Sequence, residues 1–135
     1  MRRSLTLVAG ALCVAALASC GRAPSPIVGK WTFDDGGRAA TVTFNRDGTA
    51  SIMRDRMAGT PLSFRYRIDA SKDPMWLDMM PDPGHPTISG REMCIVEFVS
   101  GDEMRICNGL RSKKRPTSFE TARFGMVKVF RRVAE

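Results

Sequence analysis

The chain has 135 residues, with 21 Lys and Arg against 14 Asp and Glu and a single His, giving a formal net charge of +7 at pH 7. That length supports one domain around one core, and the basic excess favours anionic surfaces. Seven Phe, two Trp and one Tyr form no stacking array among the basic residues, so no nucleic-acid platform is expected.

The first element is a leader. Arg2 and Arg3 start it with positive charge, residues 5–17 are apolar, and small residues then lead to Cys20. This is the layout of a secretory signal peptide, and the apolar run is shorter than the ~20 residues of a spanning helix. Leu17-Ala18-Ser19-Cys20 resembles the lipobox of bacterial lipoproteins. The resemblance implies removal of residues 1–19, a diacylglycerol on the Cys20 sulfur and acylation of the new amine. Without lipid, the same segment reads as an ordinary signal cut after Ser19 or as an uncut anchor. Gly21 rather than Asp follows the cysteine. In the sorting pattern of such lipoproteins this implies a cell-envelope location, at the periplasmic face of the outer membrane where the cell has two membranes.

Taking the 19 leader residues from 135 leaves 116, and losing Arg2 and Arg3 lowers the net charge from +7 to +5. Residues 20–26 read as a short tether, extended by Pro24 and Pro26, ahead of a domain over 27–135.

The domain is a series of short runs separated by turn residues. Residues 40–45 alternate, Arg46-Asp47-Gly48 reads as a hairpin turn, and 49–54 return. Phe64-Arg65-Tyr66-Arg67-Ile68 places three apolar residues on one face and two arginines on the other. Residues 75–80 are extended, 92–99 and 103–107 flank the Ser100-Gly101-Asp102 turn, and 117–122 and 125–133 complete the set. No window carries a helical period. The expectation is all-β: a single small antiparallel up-and-down barrel of about eight strands, closed because so small a sheet cannot leave many edges bare.

Cys13 leaves with the leader and Cys20 is consumed by lipid, so Cys94 and Cys107 remain and can pair outside the cytoplasm. Two registers compete. A two-residue Ser100-Gly101 turn sets Cys94 opposite Cys107, within disulfide range. A three-residue loop over Ser100, Gly101 and Asp102 puts the thiols on opposite faces and aligns Phe98 with Met104 and Val96 with Ile106.

Several segments together resemble a family of lipocalin-like domains found in bacterial proteins of the planctomycete type. Val28-Gly29-Lys30-Trp31 is similar to its Gly-x-Trp opening. Tyr66-Arg67-Ile68-Asp69, then Pro74, then Leu77-Asp78 is similar to its central segment. Gly101-Asp102, Met104-Arg105-Ile106-Cys107 and Arg115-Pro116-Thr117-Ser118-Phe119 follow its later stretch, and 127–131 its apolar-basic close. The resemblance covers about 27–133; the segment from Cys94 to Phe98 fits it poorly. It implies a small barrel whose opening tryptophan, Trp31, closes one end beneath a basic residue of the last strand, Arg131 or Arg132. It carries over no catalytic residue.

Catalysis has little to stand on. His85 lies in the turn-rich Pro83-Gly84-His85-Pro86, and no Gly-x-Ser-x-Gly elbow surrounds a serine. Asp34-Asp35 and Asp78/Asp82 read as turn-formers before they read as acid–base pairs. Met75, Met79, Met80 and His85 would suit Cu(I), but Met75, Leu77 and Met79 share one strand face as core residues do, with Met80 on the other. No cofactor or metal is expected. The basic run Arg111, Lys113, Lys114 and Arg115 is either a solvated loop or a dock for anionic lipid or an acidic protein. The expected function is non-catalytic binding of a small apolar ligand in a lumen lined by Phe44, Phe64, Tyr66, Ile68 and Ile106. The alternative is a protein-interaction module, such as a periplasmic enzyme inhibitor, acting through its loops.

Overall fold

The alternating runs form eight strands: β1 (Gly29–Asp34), β2 (Ala39–Phe44), β3 (Thr49–Arg54), β4 (Leu62–Asp69), β5 (Met75–Pro81), β6 (Glu92–Phe98), β7 (Glu103–Asn108) and β8 (Val127–Arg132). The computed structural model describes residues 25–55, 59–82, 90–109, 114–120 and 127–134. Each strand pairs antiparallel with the next, and β8 returns to β1 to close an up-and-down barrel. The expected all-β barrel is therefore the fold. One expected strand is absent: residues 117–120 belong to the β7–β8 connection, and 121–122 lie outside the described residues.

Alternation decides what fills the lumen. In β2 and β3, Ala40, Val42, Phe44 and Ala50 are buried, with Ile52 packed against them. In β4, Phe64 is buried and Tyr66 and Ile68 pack against the core, while Arg65 and Arg67 are exposed on the outer face. The aromatic rings meet edge-on: Phe44 lies 5.0 Å from Tyr66 and 6.1 Å from Phe64 between centroids. Such geometry suits their quadrupoles, and burying each large apolar side chain contributes about 1.5–3 kcal/mol.

The β6–β7 hairpin takes the three-residue register, with Phe98 opposite Met104, Val96 opposite Ile106 and Cys94 opposite Asn108. Cys94 and Cys107 consequently face opposite sides of the sheet, and both are free thiols. The disulfide is not formed. The alignment of two apolar cross-strand pairs toward the lumen outweighs the pairing of the sulfurs, because a one-residue slip would turn every inward side chain of β6 or β7 outward.

One barrel end is sealed. It carries the β2–β3, β4–β5 and β6–β7 turns together with the start of β1 and the end of β8. Trp31 has no exposed surface, and its indole Nε1–H donates to the Ile27 carbonyl at 2.9 Å. The Arg132 guanidinium lies 4.2 Å from the Trp31 ring. It also donates to the carbonyls of Gly101, Val28 and Pro26 at 2.8, 3.0 and 2.9 Å. Of the two candidate closers, Arg132 is the one over the ring. Arg131 points outward and pairs with Glu103 at 2.8 Å. Gly29 is needed here: its φ is +135°, and an added Cβ would sit 2.5 Å from Arg132 Nη1, which three carbonyls hold in place.

Trp31→Ala is expected to cost about 3–5 kcal/mol in chemical denaturation, as removal of a fully buried indole should. Arg132→Ala should cost about 2 kcal/mol or more, because charge-assisted bonds to three carbonyls go with it. Arg131→Ala, losing one exposed pair, should stay within about 0.5 kcal/mol. Equal losses at Arg131 and Arg132 would contradict this closure.

Candidate functional site

The opposite end is the mouth. β1, β3, β5 and β7 run toward it, so Asp34, Arg54, Pro81 and Asn108 lie at its edge with Leu62, Glu92 and Val127. A cavity of about 140 Å³ occupies the lumen on this side. Phe33, Val42, Phe44, Ile52, Phe64, Ile106 and Phe130 form its apolar wall, with Phe33 and Phe130 tilted together at 4.7 Å. Of the five expected lumen residues, Phe44, Phe64 and Ile106 line the cavity. Tyr66 and Ile68 pack toward the sealed end instead, where the Tyr66 hydroxyl donates to the Asn45 carbonyl at 2.6 Å. Burial, and secondarily the Asp47 charge, raises the Tyr66 pKa.

The rim is polar. Arg54, Glu92, Asn108 and Lys128 reach the cavity from β3, β6, β7 and β8. Asp35 joins two of them: its Oδ1 lies 3.0 Å from Lys128 Nζ and its Oδ2 lies 2.8 Å from Arg54 Nε. The second contact is an ion pair by distance only. The Arg54 Nε–H is not aligned on the carboxylate and has no hydrogen-bond acceptor among the described residues. Both cationic side chains keep 33% of their exposure, so the rim is wet and the pairs are worth little as stabilisers. Glu92 faces inward, and burial raises its pKa despite the opposing Lys128 charge, which favours the neutral carboxylic acid.

Sequence patterning missed this rim because Lys128 sits between two valines. On hydrophobicity alone Val127 and Val129 would point inward, yet Lys128 and Phe130 do, and Val129 is left 41% exposed. The register of β8 against β7 sets the phase; Phe130 opposite Met104 was the available signal.

The remaining candidates separate. Asp34 is a turn-former, accepting the Gly37 N–H at 2.8 Å, whereas Asp35 belongs to the rim. Asp78 is no turn residue. It lies on the outer face of β5, forms a short hydrogen-bonded ion pair with Arg115, and stands 3.7 Å from Arg91. Arg115 also donates to the Cys94 carbonyl at 2.7 Å, and its guanidinium lies 4.4 Å from the Trp76 ring. It is consequently not part of a solvated basic loop. It clasps the β7–β8 connection to the barrel wall, and Phe119 makes a second contact under the Arg105 guanidinium at 4.7 Å. Asp82 is exposed at the mouth. Met75 and Met79 face inward with Leu77, and Met80 faces outward opposite Arg65. Among the described residues no group of three or more His, Cys, Asp or Glu could hold a metal. Cys20, His85, Arg111 and Lys113 lie outside the described residues, and Lys114 is exposed.

On the outer wall, between β5–β7 and residues 117–120, runs a groove of about 390 Å³ crossed by the Arg105–Glu97 ion pair. It is larger than the lumen, but charged Asp73, Glu97, Arg105 and Glu120 interrupt its Phe98 and Phe119, so the lumen is the better ligand site. No family model matches the chain, and neither a curated protein nor a solved structure is significantly similar to it.

Ile95 and Cys107, opposite each other on the outer face of β6 and β7, are as buried as Cys94 inside. Burial raises the pKa of both thiols, most strongly at Cys94, so thiolate is suppressed. A thiol reagent should therefore label neither residue in the folded mature protein and should count two thiols after unfolding without reductant. A count of zero on the unfolded protein would show a disulfide that the register forbids.

Proposed function

We propose that this chain is a lipid-anchored envelope protein with a lipocalin-like barrel, acylated at Cys20, that binds one small apolar ligand in its lumen without catalysis. The reading is carried by the cavity: about 140 Å³, walled by aromatic and aliphatic side chains and bounded on one side by a charged rim. An apolar space of that size takes a molecule of benzene's dimensions, roughly six to eight non-hydrogen atoms, or the tip of a longer chain. A polar head on such a ligand would lie among Arg54, Lys128, Glu92 and Asn108. The unaligned Arg54 Nε–H would then find an acceptor in a ligand oxygen.

One observation favours the second reading, an interaction module such as an inhibitor of an envelope enzyme acting through loops at the mouth. The cavity is smaller than the ~300–1,000 Å³ of ordinary ligand pockets.

Titration with hexanoate, hexylamine and hexanol separates the two readings. The wild type should bind at least one of the three. Leu62→Trp, which fills the mouth side of the lumen, should weaken that binding roughly tenfold or more, as expected for lost apolar burial, with the melting temperature retained. Binding untouched by Leu62→Trp would place the ligand elsewhere, and no binding by the wild type would favour the interaction module.

A further inference from the structure

We propose that the sealed end of the barrel docks on anionic lipid headgroups and thereby holds the mouth turned away from the bilayer. This inference rests on the proposed acylation at Cys20 and adds an orientation to it.

Chain geometry supplies the first support. Ser25 is fixed at the sealed end, where its carbonyl accepts the Val28 N–H at 3.0 Å and Arg132 grips the Pro26 and Val28 carbonyls. Five residue-to-residue steps lead from Cys20 to Ser25 and span at most about 18 Å. The strands, six to eight residues long, add roughly 20 Å more before the mouth is reached. A lipid on Cys20 therefore keeps the sealed end nearer the membrane than the mouth.

Charge is the second support. Lys30, Arg46, Arg65, Arg67 and Lys72 are exposed on or beside this end, and none joins an ion pair among the described residues. Its carboxylates remain charged, and hydrogen bonds from neutral groups hold Asp47 and Asp69 in the ionised form. Asp47 accepts from the Thr49 backbone and hydroxyl, and Asp69 does the same with Ser71. Glu103 pairs with Arg131, and Asp102 lies 3.8 Å from Arg132. Asp73 remains beside Lys72. Among the described residues, seven cations at this end face five carboxylates, a surplus of two positive charges.

The third support is apolar. Val99, in the β6–β7 turn, is 55% exposed, the most exposed large apolar residue among the described residues. An apolar tip on an end with a basic surplus suits the headgroup boundary of an anionic leaflet. Arg115 offers no equivalent, because it is committed to Asp78 and Trp76.

The test uses the mature chain on phosphatidylcholine vesicles with and without ~30 mol% phosphatidylglycerol. A fluorophore is placed at Ser100→Cys on the sealed end or at Asp55→Cys at the mouth, and a nitroxide quencher sits on the headgroups. With phosphatidylglycerol present, the Ser100 label should be quenched at least about twofold more than the Asp55 label. The contrast should fade between ~0.05 and ~0.5 M salt. In Arg46→Glu/Arg65→Glu/Arg67→Glu the acyl chains should still float the protein with vesicles. The contrast should vanish, since each basic residue near an anionic surface is worth about 1 kcal/mol, or fivefold, and losing three weakens docking by about a hundredfold or more. Single reversals at Arg46 and Arg67 serve if the triple variant is destabilised. Equal quenching at the two sites, a contrast without phosphatidylglycerol, or a contrast surviving the reversals would overturn the proposal. Failure to float on phosphatidylcholine alone counts against acylation. Such a chain still meets the docking test through salt-sensitive flotation on phosphatidylglycerol, and its absence there overturns the proposal too.

Discussion

A closed barrel depends on the seam where its first and last strands meet, and here that seam is thin. β1 and β8 share three rungs, Trp31–Arg132, Thr32–Arg131 and Phe33–Phe130, the shortest ladder in the sheet. Side chains make up the difference. Arg132 covers the Trp31 ring and ties three carbonyls from the N-terminal segment and the β6–β7 turn, so one guanidinium fastens the start of β1, the end of β8 and the seal of the lumen. Backbone bonds continue the same fastening, with Arg132 N donating to Asp102 O and Val133 N to Lys30 O, both at 2.8 Å. The open φ of Gly29 follows from the same constraint, because the guanidinium occupies the space a side chain would need.

Sealing one end makes the two ends chemically different. The sealed end uses Arg132, Asp47 and Asp69 in carbonyl caps and turns, and its lumen half is filled by Trp31, Tyr66 and Phe44 packed with their neighbours. The mouth end keeps a cavity and places Arg54, Asp35, Lys128 and Glu92 around it. An inward-facing lysine is costly to bury unless paired. Asp35 supplies the partner, and Lys128 also lies 5.3 Å over the Phe33 ring. The same Lys128 keeps the wall of the lumen apolar below and its edge wet above, the arrangement a small amphiphile requires.

Most of the fold was legible in the sequence because most strands bury one face. Residues 40–45 and 64–68 gave both the strand and its inward side, and the Gly-x-Trp opening pointed to the closure. Legibility failed where a strand is covered on both sides. Cys94, Ile95 and Val96 are all buried, so β6 has no alternation to read, and its register had to be settled by Phe98–Met104 and Val96–Ile106. It failed again where a long-range partner changes a residue's meaning. Asp78 and Arg115 are 37 positions apart, and nothing local distinguishes their clasp from a turn carboxylate and a solvated cation. The rim was invisible for the same reason: Asp35 and Lys128, 93 positions apart, acquire their role only when the barrel closes.

The central claim is a barrel sealed at Trp31 and hollow on the mouth side, and xenon bound under pressure in a crystal tests it without presuming a ligand. Xenon enters dry apolar cavities of this size. The account predicts one lumen site in contact with Phe33, Phe44, Phe64 and Ile106, and none between Trp31 and Ile27. A lumen without xenon, or xenon seated beside the Trp31 ring, would contradict it.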